Sequence, residues 1–264
     1  MAANARKNSE PAASATPNIS IVVATRNAAA GIRACIDSII NQTYPSFEIL
    51  VQDALSTDAT LSILKDYDQA RTKVTSEADH GIYDAWNRAL GRAQGNWIMF
   101  LGADDRLAHP QVLQNRIHLL SNHAGRVDLV CGRIAFISED GTVKKQTGAA
   151  WNWQSMLKYQ IVAHIGLMHH RAIFENFGRF STRYTIAGDY DFLLRLGPSI
   201  SAVFVDEVEI LAGARGVSQR QIGRVLFENF RIQRSRRDIG YALATVNLLS
   251  AAAKALYRCG RELM

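Results

Sequence analysis

The sequence predicts an α/β fold in which a mostly parallel sheet carries helices on both faces. Three observations predict it. Between residues 19 and 105, short apolar runs alternate with amphipathic segments of helical period. With 264 residues, of which 48% are hydrophobic and 20% charged, the chain can bury one core of this kind and is not a disordered chain. Polar residues gather where the apolar runs end, as at the ligand-binding edge of such a sheet.

The first part of the chain alternates strand and helix. Continuous apolar or β-branched runs predict strands at "ISIVVAT", "FEILVQD", "KVTS" and "WIMFL". The spacing of apolar residues predicts helices at "GIRACIDSIINQT", "STDATLSILKDY" and "IYDAWNRALGRA". Ser56 or Thr57 is the expected N-cap of the second helix, with Asp58 in its first turn. The third helix is expected to face the core with Ile82, Trp86, Ala89, Leu90 and Ala93.

Beyond Asp105 the pattern changes. A helix is expected over residues 110–122, followed by a hairpin around Glu139-Asp140-Gly141 and a later strand at "AVFVDEVEI". The chain from Ser218 onward is predicted to be helical and is strongly basic. We therefore divide the chain into a flexible leader at 1–17, a domain at 18–215 and a helical tail at 216–264.

Composition narrows the class of protein. The net charge of +6 and pI near 9.4 indicate an anionic partner, such as nucleic acid, a membrane surface or a phosphorylated substrate. Three scattered cysteines without a CxxC pair favour a reducing compartment and argue against a metal–thiolate cluster. The polar leader lacks the apolar core of a signal peptide, and no apolar run reaches the ~18 residues of a membrane span.

Acidic residues follow the predicted strands. They are Asp53 and Asp58 after the second strand, Glu77, Asp79 and Asp84 after the third, and Asp104 and Asp105 after the fourth. So many like charges at one edge call for a cation, and Mg²⁺ or Mn²⁺ carrying a diphosphate fits carboxylate oxygens best. Simpler alternatives are helix capping by Asp58 or Asp84, and a solvated turn at Asp104-Asp105.

Two other nucleotide-binding folds fit poorly. The first strand-to-helix turn, "ATRNAAAG", lacks the G-x-G-x-x-G of dinucleotide-binding enzymes. The chain also contains no GxxxxGK[ST] sequence of a P-loop.

Four blocks carry a resemblance to a known family. "ISIVVATRN", "IDSIINQTYPSFEILVQDALSTDAT", "SEADHGIYDAWNRALGRAQGNWIMFLGADD" and "IAGDYDFLLRL" together resemble the family 2 glycosyltransferases of the GT-A fold, most closely bacterial enzymes that build surface polysaccharides. The resemblance covers Ile19 to Leu196. It implies an inverting transfer from a nucleotide-sugar, with a UDP-sugar favoured, to a lipid-linked or growing cell-surface glycan. It also implies Mn²⁺ or Mg²⁺, a nucleotide-sugar half at 18–105 and an acceptor half at 106–215.

The resemblance assigns roles to the donor side. Thr25, Arg26 and Asn27 are expected to contact the nucleoside, and Asp53 the edge of the base. The usual "DGSTD" is "DALSTD" here, with Ala54 in place of glycine and Leu55 added. The remaining assignments are Asp79 and Asp84 facing the nucleotide, Asp105 on the metal, and Asp104 on the ribose or donor sugar.

The resemblance also implies a general base. Asp189 occupies the position of the second acid in the family's "EDYDLWLRL"-type block, and Gly188 stands where that block has glutamate. The alternative is that Asp189 only caps its helix. Asp191 is expected to cap, to pair with Arg195 at i+4, or to face the acceptor. His164 is a candidate for the acceptor site or the diphosphate, whereas His169 and His170 are expected to cap a strand or face solvent.

The tail combines charge with apolar character. Arg231, Arg234, Arg236 and Arg237 precede the apolar run Tyr241–Ala253. This pattern predicts a helix lying on an anionic inner leaflet, and hence a cytoplasmic, peripheral protein. The alternative is a helix packed on the domain with solvated arginines. Nucleic-acid binding is disfavoured, because no aromatic platform is interleaved with the arginines.

Two other functions compete with glycosyl transfer. A sugar nucleotidylyltransferase would carry a Gly-rich, basic signature near the first strand, and "ATRNAAAGIR" is poor in glycine and lysine. A non-catalytic nucleotide-sugar-binding module would be expected to lose the base or the metal acid, and both are present.

Overall fold

The structure is a computed structural model that describes residues 18–138, 140–213 and 220–262. The predicted leader, Glu139 of the predicted hairpin turn and the first residues of the predicted tail lie outside these ranges. Within the described residues, nine strands form one sheet.

Four parallel strands form the first part of the sheet, in the spatial order β3-β2-β1-β4. All four were predicted from sequence; β1, β2 and β4 are apolar runs buried on both faces, whereas β3 is a short, partly exposed strand. Their bounds are Ile19–Thr25 for β1, Phe47–Asp53 for β2, Thr72–Ser76 for β3 and Trp97–Gly102 for β4.

The other five strands extend the sheet from β4. They are β5 at Arg106–Leu107, β6 at Leu129–Ile137, β7 at Val143–Thr147, β8 at Met168–His170 and β9 at Ala202–Gly213. β8 lies antiparallel between β4 and β6, and β9 runs parallel to β6. The predicted hairpin is the β6–β7 pair. β5 and β8 have two and three residues, too few for a periodicity to reveal them.

Helices cover both faces of the sheet. Alternate residues of β1 point to opposite faces, so Ile21 and Val23 belong to one apolar cluster and Val22 to the other. The first cluster contains α1 and α4, and the second contains α3, α7 and the tail helices. The helices are α1 Ile32–Ile40, α2 Thr60–Leu64, α3 Ile82–Leu90, α4 Val112–Ser121, α5 Trp153–Met156, α6 Ala172–Phe177, α7 Gly188–Leu196, α8 Ile222–Arg234 and α9 Gly240–Glu262.

Two local predictions are wrong. The N-cap of α2 is Ala59, without a side-chain hydrogen bond. Asp58 instead accepts hydrogen bonds from the backbone nitrogens of Thr60 (2.9 Å) and Ala29 (3.1 Å), and so joins the loops that follow β1 and β2. Ile82 is 39% exposed and Tyr83 is buried in its place, because the Tyr83 ring turns inward to pack on α7.

The tail packs against the domain. Three residues are buried in the same apolar cluster as α3 and α7: Ile232 of α8, Ile239 just before α9, and Ala244 of α9. Gln233 is also buried and donates hydrogen bonds to the carbonyl of Lys158 and the hydroxyl of Tyr190. The packed-helix alternative therefore holds for one face of the tail, while its opposite face stays exposed. None of the described helices is both long and apolar enough to cross a membrane.

Candidate active site

The parallel register brings the predicted site residues to one edge of the sheet. Thr25 pairs with Asp53, and Ala24 with Gly102, so β1, β2 and β4 end side by side. β3 ends beside β2, with Ser76 next to Asp53. The loops that follow these four strands therefore share one rim, as the sequence predicted.

The loops after β1 and β2 are bonded into one surface. Asn27, which has a left-handed backbone (φ 48°), donates from its nitrogen to Ser56 Oγ (2.8 Å). Its Oδ1 accepts from the nitrogen of Thr57 (2.8 Å). Arg26 is exposed on this surface, whereas Thr25 is buried and its hydroxyl has no hydrogen-bond partner among the described residues. Two of the three residues expected to contact the nucleoside are thus accessible.

Asp53 connects the loop after β2 to the end of β3 through hydrogen bonds. It is fully buried, and its carboxylate accepts hydrogen bonds from the nitrogen and hydroxyl of Ser56 and from Ser76 Oγ (2.6 Å). Because Asp53 has no exposed surface, its predicted contact with the edge of a base stays a prediction. The added residue of this loop, Leu55, has φ 53° and is 55% exposed.

The acids after β3 are engaged locally. Asp79 accepts from the nitrogen of Gly81 (2.9 Å), whose φ of 110° gives the turn into α3. Asp84 accepts from the nitrogen of His80 (3.0 Å) and from Arg88 Nε (3.2 Å). Burial alone would raise the pKa of Asp84, but the hydrogen bonds from Arg88 and His80 lower it on balance. Asp84 is a turn and ion-pair residue in this arrangement, and its predicted contact with a nucleotide stays a prediction.

The acid pair after β4 has one exposed and one buried member. Asp104 is exposed, whereas Asp105 is only 4% exposed and accepts from the nitrogen of Gly102 through Oδ2 (2.7 Å). Burial and the charge of Asp104 raise the pKa of Asp105 to about 7, against the opposing effect of amide hydrogen bonds from Gly102 and Gly213. Two like charges in this position favour a cation beside them.

The space beside the pair is kept open by glycine. A methyl group built on Gly102 would lie 2.9 Å from Asp105 Oδ2 and 3.1 Å from Asp104 Oδ1, so both carboxylates face the same point. A side chain at Gly31 would press on the Asp104 backbone, 3.2 Å from its Cα. Because Gly102 has no Cβ, the space toward which both carboxylates point stays open.

The donor set fits a divalent ion that arrives with a phosphate. Among the described residues, no group of three or more His, Cys, Asp or Glu side chains could hold an ion by itself. Mg²⁺ and similar ions in phosphate-transfer sites use one or two carboxylates, with water and phosphate oxygens completing the shell. Asp104 and Asp105 meet that requirement.

Asp189 is held by two donors from different parts of the chain. Its Oδ1 accepts from the Tyr83 hydroxyl (3.0 Å) and its Oδ2 from Gln160 Nε2 (3.0 Å). Burial raises the pKa of Asp189, and the hydrogen bonds from Gln160 and Tyr83 oppose that rise. Because Tyr83 lies in the first turn of α3, just beyond the end of β3, this contact brings the start of α7 to the same rim.

Gly188 is explained by the same contact. A Cβ on Gly188 would lie 2.7 Å from the Tyr83 ring, so the glutamate of the family's block cannot stand here while Tyr83 reaches Asp189. The N-cap of α7 is Ala187, without a side-chain hydrogen bond. Asp189 is therefore not the N-cap of α7, and its role as a base stays a prediction.

The histidine prediction needs correction. His164 is buried between Trp86 and Phe100, with ring centroids 5.1 Å and 5.8 Å away, and neither ring nitrogen has a hydrogen-bond partner in the described residues. Burial lowers its pKa to about 3. A neutral ring enclosed by aromatic side chains cannot touch an acceptor or a diphosphate. His169 is buried beside it rather than exposed.

Asp191 faces a different direction from Asp189. Its Oδ2 forms the expected ion pair with Arg195 Nε at 3.3 Å. Burial raises the pKa of Asp191, and Arg195 acts in the opposite direction. The pairing is confirmed, and a role toward the acceptor stays a prediction.

Two residues that contact Asp189 were missed. Tyr83 lies inside a recognised block, but the helical spacing favoured Ile82 as the inward residue. Gln160 lies in an irregular segment with no periodicity or motif. A glycine where the family has glutamate was the one available signal, because it leaves room for a ring over α7.

Solved structures define the class of protein. S. aureus TarS in complex with UDP-GlcNAc superposes with a TM-score of 0.66 at 19% identity, over 89% of this chain and 71% of that one. The mannosyltransferase PcManGT from Pyrobaculum calidifontis, in complex with GDP-Man and Mn²⁺, gives 0.61 at 20% identity, over 94% and 81%. The fold is that of the GT-A transferases.

The sequence comparisons then give the family. The model described as "Glycosyl transferase family 2" matches residues 20–182. The PGL/p-HBAD biosynthesis glycosyltransferase of Mycobacterium tuberculosis is 34% identical over 184 residues, which is 69% of this chain and 70% of that protein. Glycosyltransferase AglE of Haloferax volcanii is 26% identical over 92% of this chain and 81% of that protein. The chain belongs to glycosyltransferase family 2.

We predict that Tyr83→Phe raises the pKa of Asp189. The substitution removes a hydroxyl donor that favours the charged carboxylate, while the ring that packs on Gly188 is kept. Carboxyl carbon chemical shifts followed by NMR during a pH titration measure the change. Tyr67→Phe, which removes a hydroxyl bonded to Asp37 instead, is the matched control and should leave the Asp189 titration unchanged. An Asp189 titration that moves to lower pH in Tyr83→Phe contradicts the prediction.

Proposed function

We propose that this family 2 glycosyltransferase is an inverting, metal-dependent enzyme. Its donor is a nucleotide-sugar, with a UDP-sugar favoured, and its acceptor is a lipid-linked or growing cell-surface glycan. The observation that carries the proposal is the Asp189 carboxylate, held by Tyr83 and Gln160 at the same rim as Asp104 and Asp105.

Asp189 is the general base of the proposed reaction. The acceptor hydroxyl oxygen forms a bond to the anomeric carbon while the bond from that carbon to the diphosphate oxygen breaks. Asp189 takes the hydroxyl proton, and the diphosphate leaves with the bonding electron pair. A single in-line displacement of this kind inverts the anomeric carbon. A base with a raised pKa holds the transferred proton better than an ordinary aspartate.

The donor side of the proposal uses the loops at the rim. Asp104 and Asp105 would hold the ion together, although the sequence analysis assigned the metal to Asp105 alone. A bound Mn²⁺ or Mg²⁺ supplies charge neutralisation for the leaving diphosphate. Arg26 and Asn27 contact the nucleoside with Thr25 beneath them, and Asp53, Asp79 and Asp84 shape the nucleotide pocket.

The choice of substrates rests on relatives. TarS has been solved with UDP-GlcNAc and with UDP, and PcManGT with GDP-Man and Mn²⁺. Curated relatives are named for PGL/p-HBAD and teichuronic acid biosynthesis, which favours a cell-surface glycoconjugate as acceptor. A nucleotidylyltransferase or a non-catalytic binding module is a poorer explanation for a carboxylate held by two donors beside an acid pair.

We predict that Asp189→Asn lowers kcat by roughly 10²- to 10⁴-fold, the contribution of general-base catalysis, with donor affinity within a few-fold of wild type. Transfer assays with a panel of UDP-, GDP- and dTDP-sugars plus Mn²⁺ measure turnover, and calorimetry measures donor binding. Asp191→Asn is the matched control, because it neutralises an acid of the same helix that pairs with Arg195. Undiminished turnover of Asp189→Asn, or an equal loss in the control, would show that the base lies elsewhere.

Metal dependence makes a separate prediction. Asp104→Asn should weaken Mn²⁺-dependent UDP binding at least about tenfold, because the exposed carboxylate faces the shared space. EDTA should abolish transfer by the wild type. Asp66→Asn, an exposed acid paired with Arg33 on the outer side of α1, is the control and should bind UDP normally. Transfer that survives EDTA would refute the role of a metal.

The tail supports membrane association. Tyr241, Val246, Leu249, Leu256 and Tyr257 of α9 are exposed along the side that does not pack on the domain. Arg231, Arg234 and Arg237 are exposed beside them, whereas Arg236 is half-buried and paired with Asp238. An apolar stripe flanked by cations is complementary to an anionic leaflet. We therefore propose a cytoplasmic enzyme that is bound peripherally at the inner face of the membrane.

We predict that full-length protein sediments with phosphatidylglycerol vesicles and is partly released by high salt. Replacing Arg231 and Arg234 with glutamine should lower partitioning by about 30-fold, since each charge contributes about 1 kcal/mol. Leu249→Ser with Leu256→Ser should lower the salt-resistant part. Val143→Ser, an exposed apolar residue of β7, is the control. Equal, negligible sedimentation of wild type with anionic and neutral vesicles would refute the proposal.

A further inference from the structure

Glu228 of α8 is a buried carboxylate that contacts the approach to the proposed base. It is 5% exposed and lies beyond residues 20–182, the part of the chain that the family model matches. It accepts hydrogen bonds from the nitrogens of Thr185 (3.1 Å), Ile186 (3.0 Å) and Ala187 (3.0 Å), and from Thr185 Oγ1 (2.8 Å). A single side chain thus binds three successive amides.

The last of these amides belongs to Ala187, the N-cap of α7, and the other two belong to the residues just before it. The beginning of a helix presents unsatisfied N–H groups and the positive end of the helix dipole, and it attracts an anion. Ala187, the N-cap, supplies no side-chain acceptor of its own. Glu228, on a helix some forty residues later in the chain, accepts from the Ala187 amide and from the two amides before it. Burial alone would raise the pKa of Glu228, but the amide hydrogen bonds lower it, so the carboxylate is charged at neutral pH.

The same loop is held on its other side by Tyr83. The single hydroxyl proton of Tyr83 is shared between two acceptors, the carbonyl oxygen of Ile186 (2.6 Å) and Asp189 Oδ1 (3.0 Å). Ile186 is therefore bonded through its nitrogen to α8 and through its oxygen to α3. Because the peptide groups on both sides of Ile186 are held, the orientation of Asp189, three residues later, is restricted as well.

α8 keeps its place without the loop. Ile232 is buried in the core, and Gln233 donates to the carbonyl of Lys158 (3.0 Å) and to the hydroxyl of Tyr190 (2.9 Å). Tyr190 follows Asp189 directly in the chain. The tail helix thus contacts the chain on both sides of the base, and Glu228 is presented by a helix with independent anchors.

We propose that Glu228 is a positioning residue for the reaction, acting on Asp189 through residues 185–187. This inference rests on the proposed role of Asp189 as the base. It gives the tail a function in turnover that is separate from membrane binding: α8 completes the active site by occupying the anion-binding start of α7. Without the Glu228 carboxylate, the loop at residues 185–187 is held less firmly, and Asp189 can turn away from the acceptor hydroxyl.

Glu228→Ala is the direct test. We expect it to lower kcat by roughly 10- to 100-fold, the effect of a misplaced catalytic group, while binding of UDP with Mn²⁺ stays within a few-fold of wild type. Amide hydrogen exchange at residues 185–187 should become at least about tenfold faster. Acetate added to the assay should restore part of the turnover and of the amide protection, because it can occupy the vacated anion site.

Ile232→Ala is the matched control for stability. It removes a buried apolar side chain of the same helix and leaves the bonds of Glu228 intact, so it should lower the melting temperature without an acetate-dependent change in kcat. Asp189→Asn should show no acetate rescue. Rescue of Glu228→Ala alone would separate positioning from general destabilisation.

If Glu228→Ala lowers turnover, either of two results would still overturn the inference. One is unchanged exchange at residues 185–187 in Glu228→Ala. The other is a loss of turnover that follows the folded fraction, as in Ile232→Ala, with no rescue by acetate. Full activity of Asp189→Asn would refute the base assignment and this inference with it, whereas full activity of Glu228→Ala alone would refute only the inference.

Discussion

The parallel register of β1, β2 and β4 is the constraint on which the rest of the site depends. It makes the strands end together, with Thr25 beside Asp53 and Ala24 beside Gly102. Each following loop must then leave from the same rim, and the acids that those loops carry are brought within reach of one ligand. Because side chains alternate between faces, the same register also divides the core into two apolar clusters and places α3 and α7 together.

Acids that lie close together repel each other, and the acids of this rim fall into two groups. Asp53, Asp58 and Asp84 are satisfied by hydroxyl, amide or guanidinium donors, and so they organise loops rather than repel each other. Asp105 also accepts amide hydrogen bonds, but burial and the charge of Asp104 outweigh them and raise the pKa of Asp105 to about 7. This pair therefore stands out from the satisfied acids as the place where a cation would be most stabilising.

The proposed base, Asp189, depends on contacts between residues that are distant in the chain. Asp189 receives hydrogen bonds from α3 and from the segment before β8, and its loop is bonded to α8. These elements are separated by tens of residues, and they meet only because α3, α7 and α8 pack on the same face of the sheet. Tyr83 links them, since one hydroxyl contacts both the loop and the carboxylate, and Gly188 makes room for its ring.

Sequence by itself determined the four parallel strands, the acids that follow them, the family and the block that contains Asp189. It could do so because buried strands and helix faces leave a local period, and because the blocks lie in family order. The structure decided what local patterns do not encode: that Tyr83 rather than Ile82 turns inward, that His164 is enclosed by aromatic rings, that Asp104 is the exposed acid, and that Glu228 reaches α7. Each of these depends on which residues distant in the chain become neighbours, and packing of the whole fold alone fixes that.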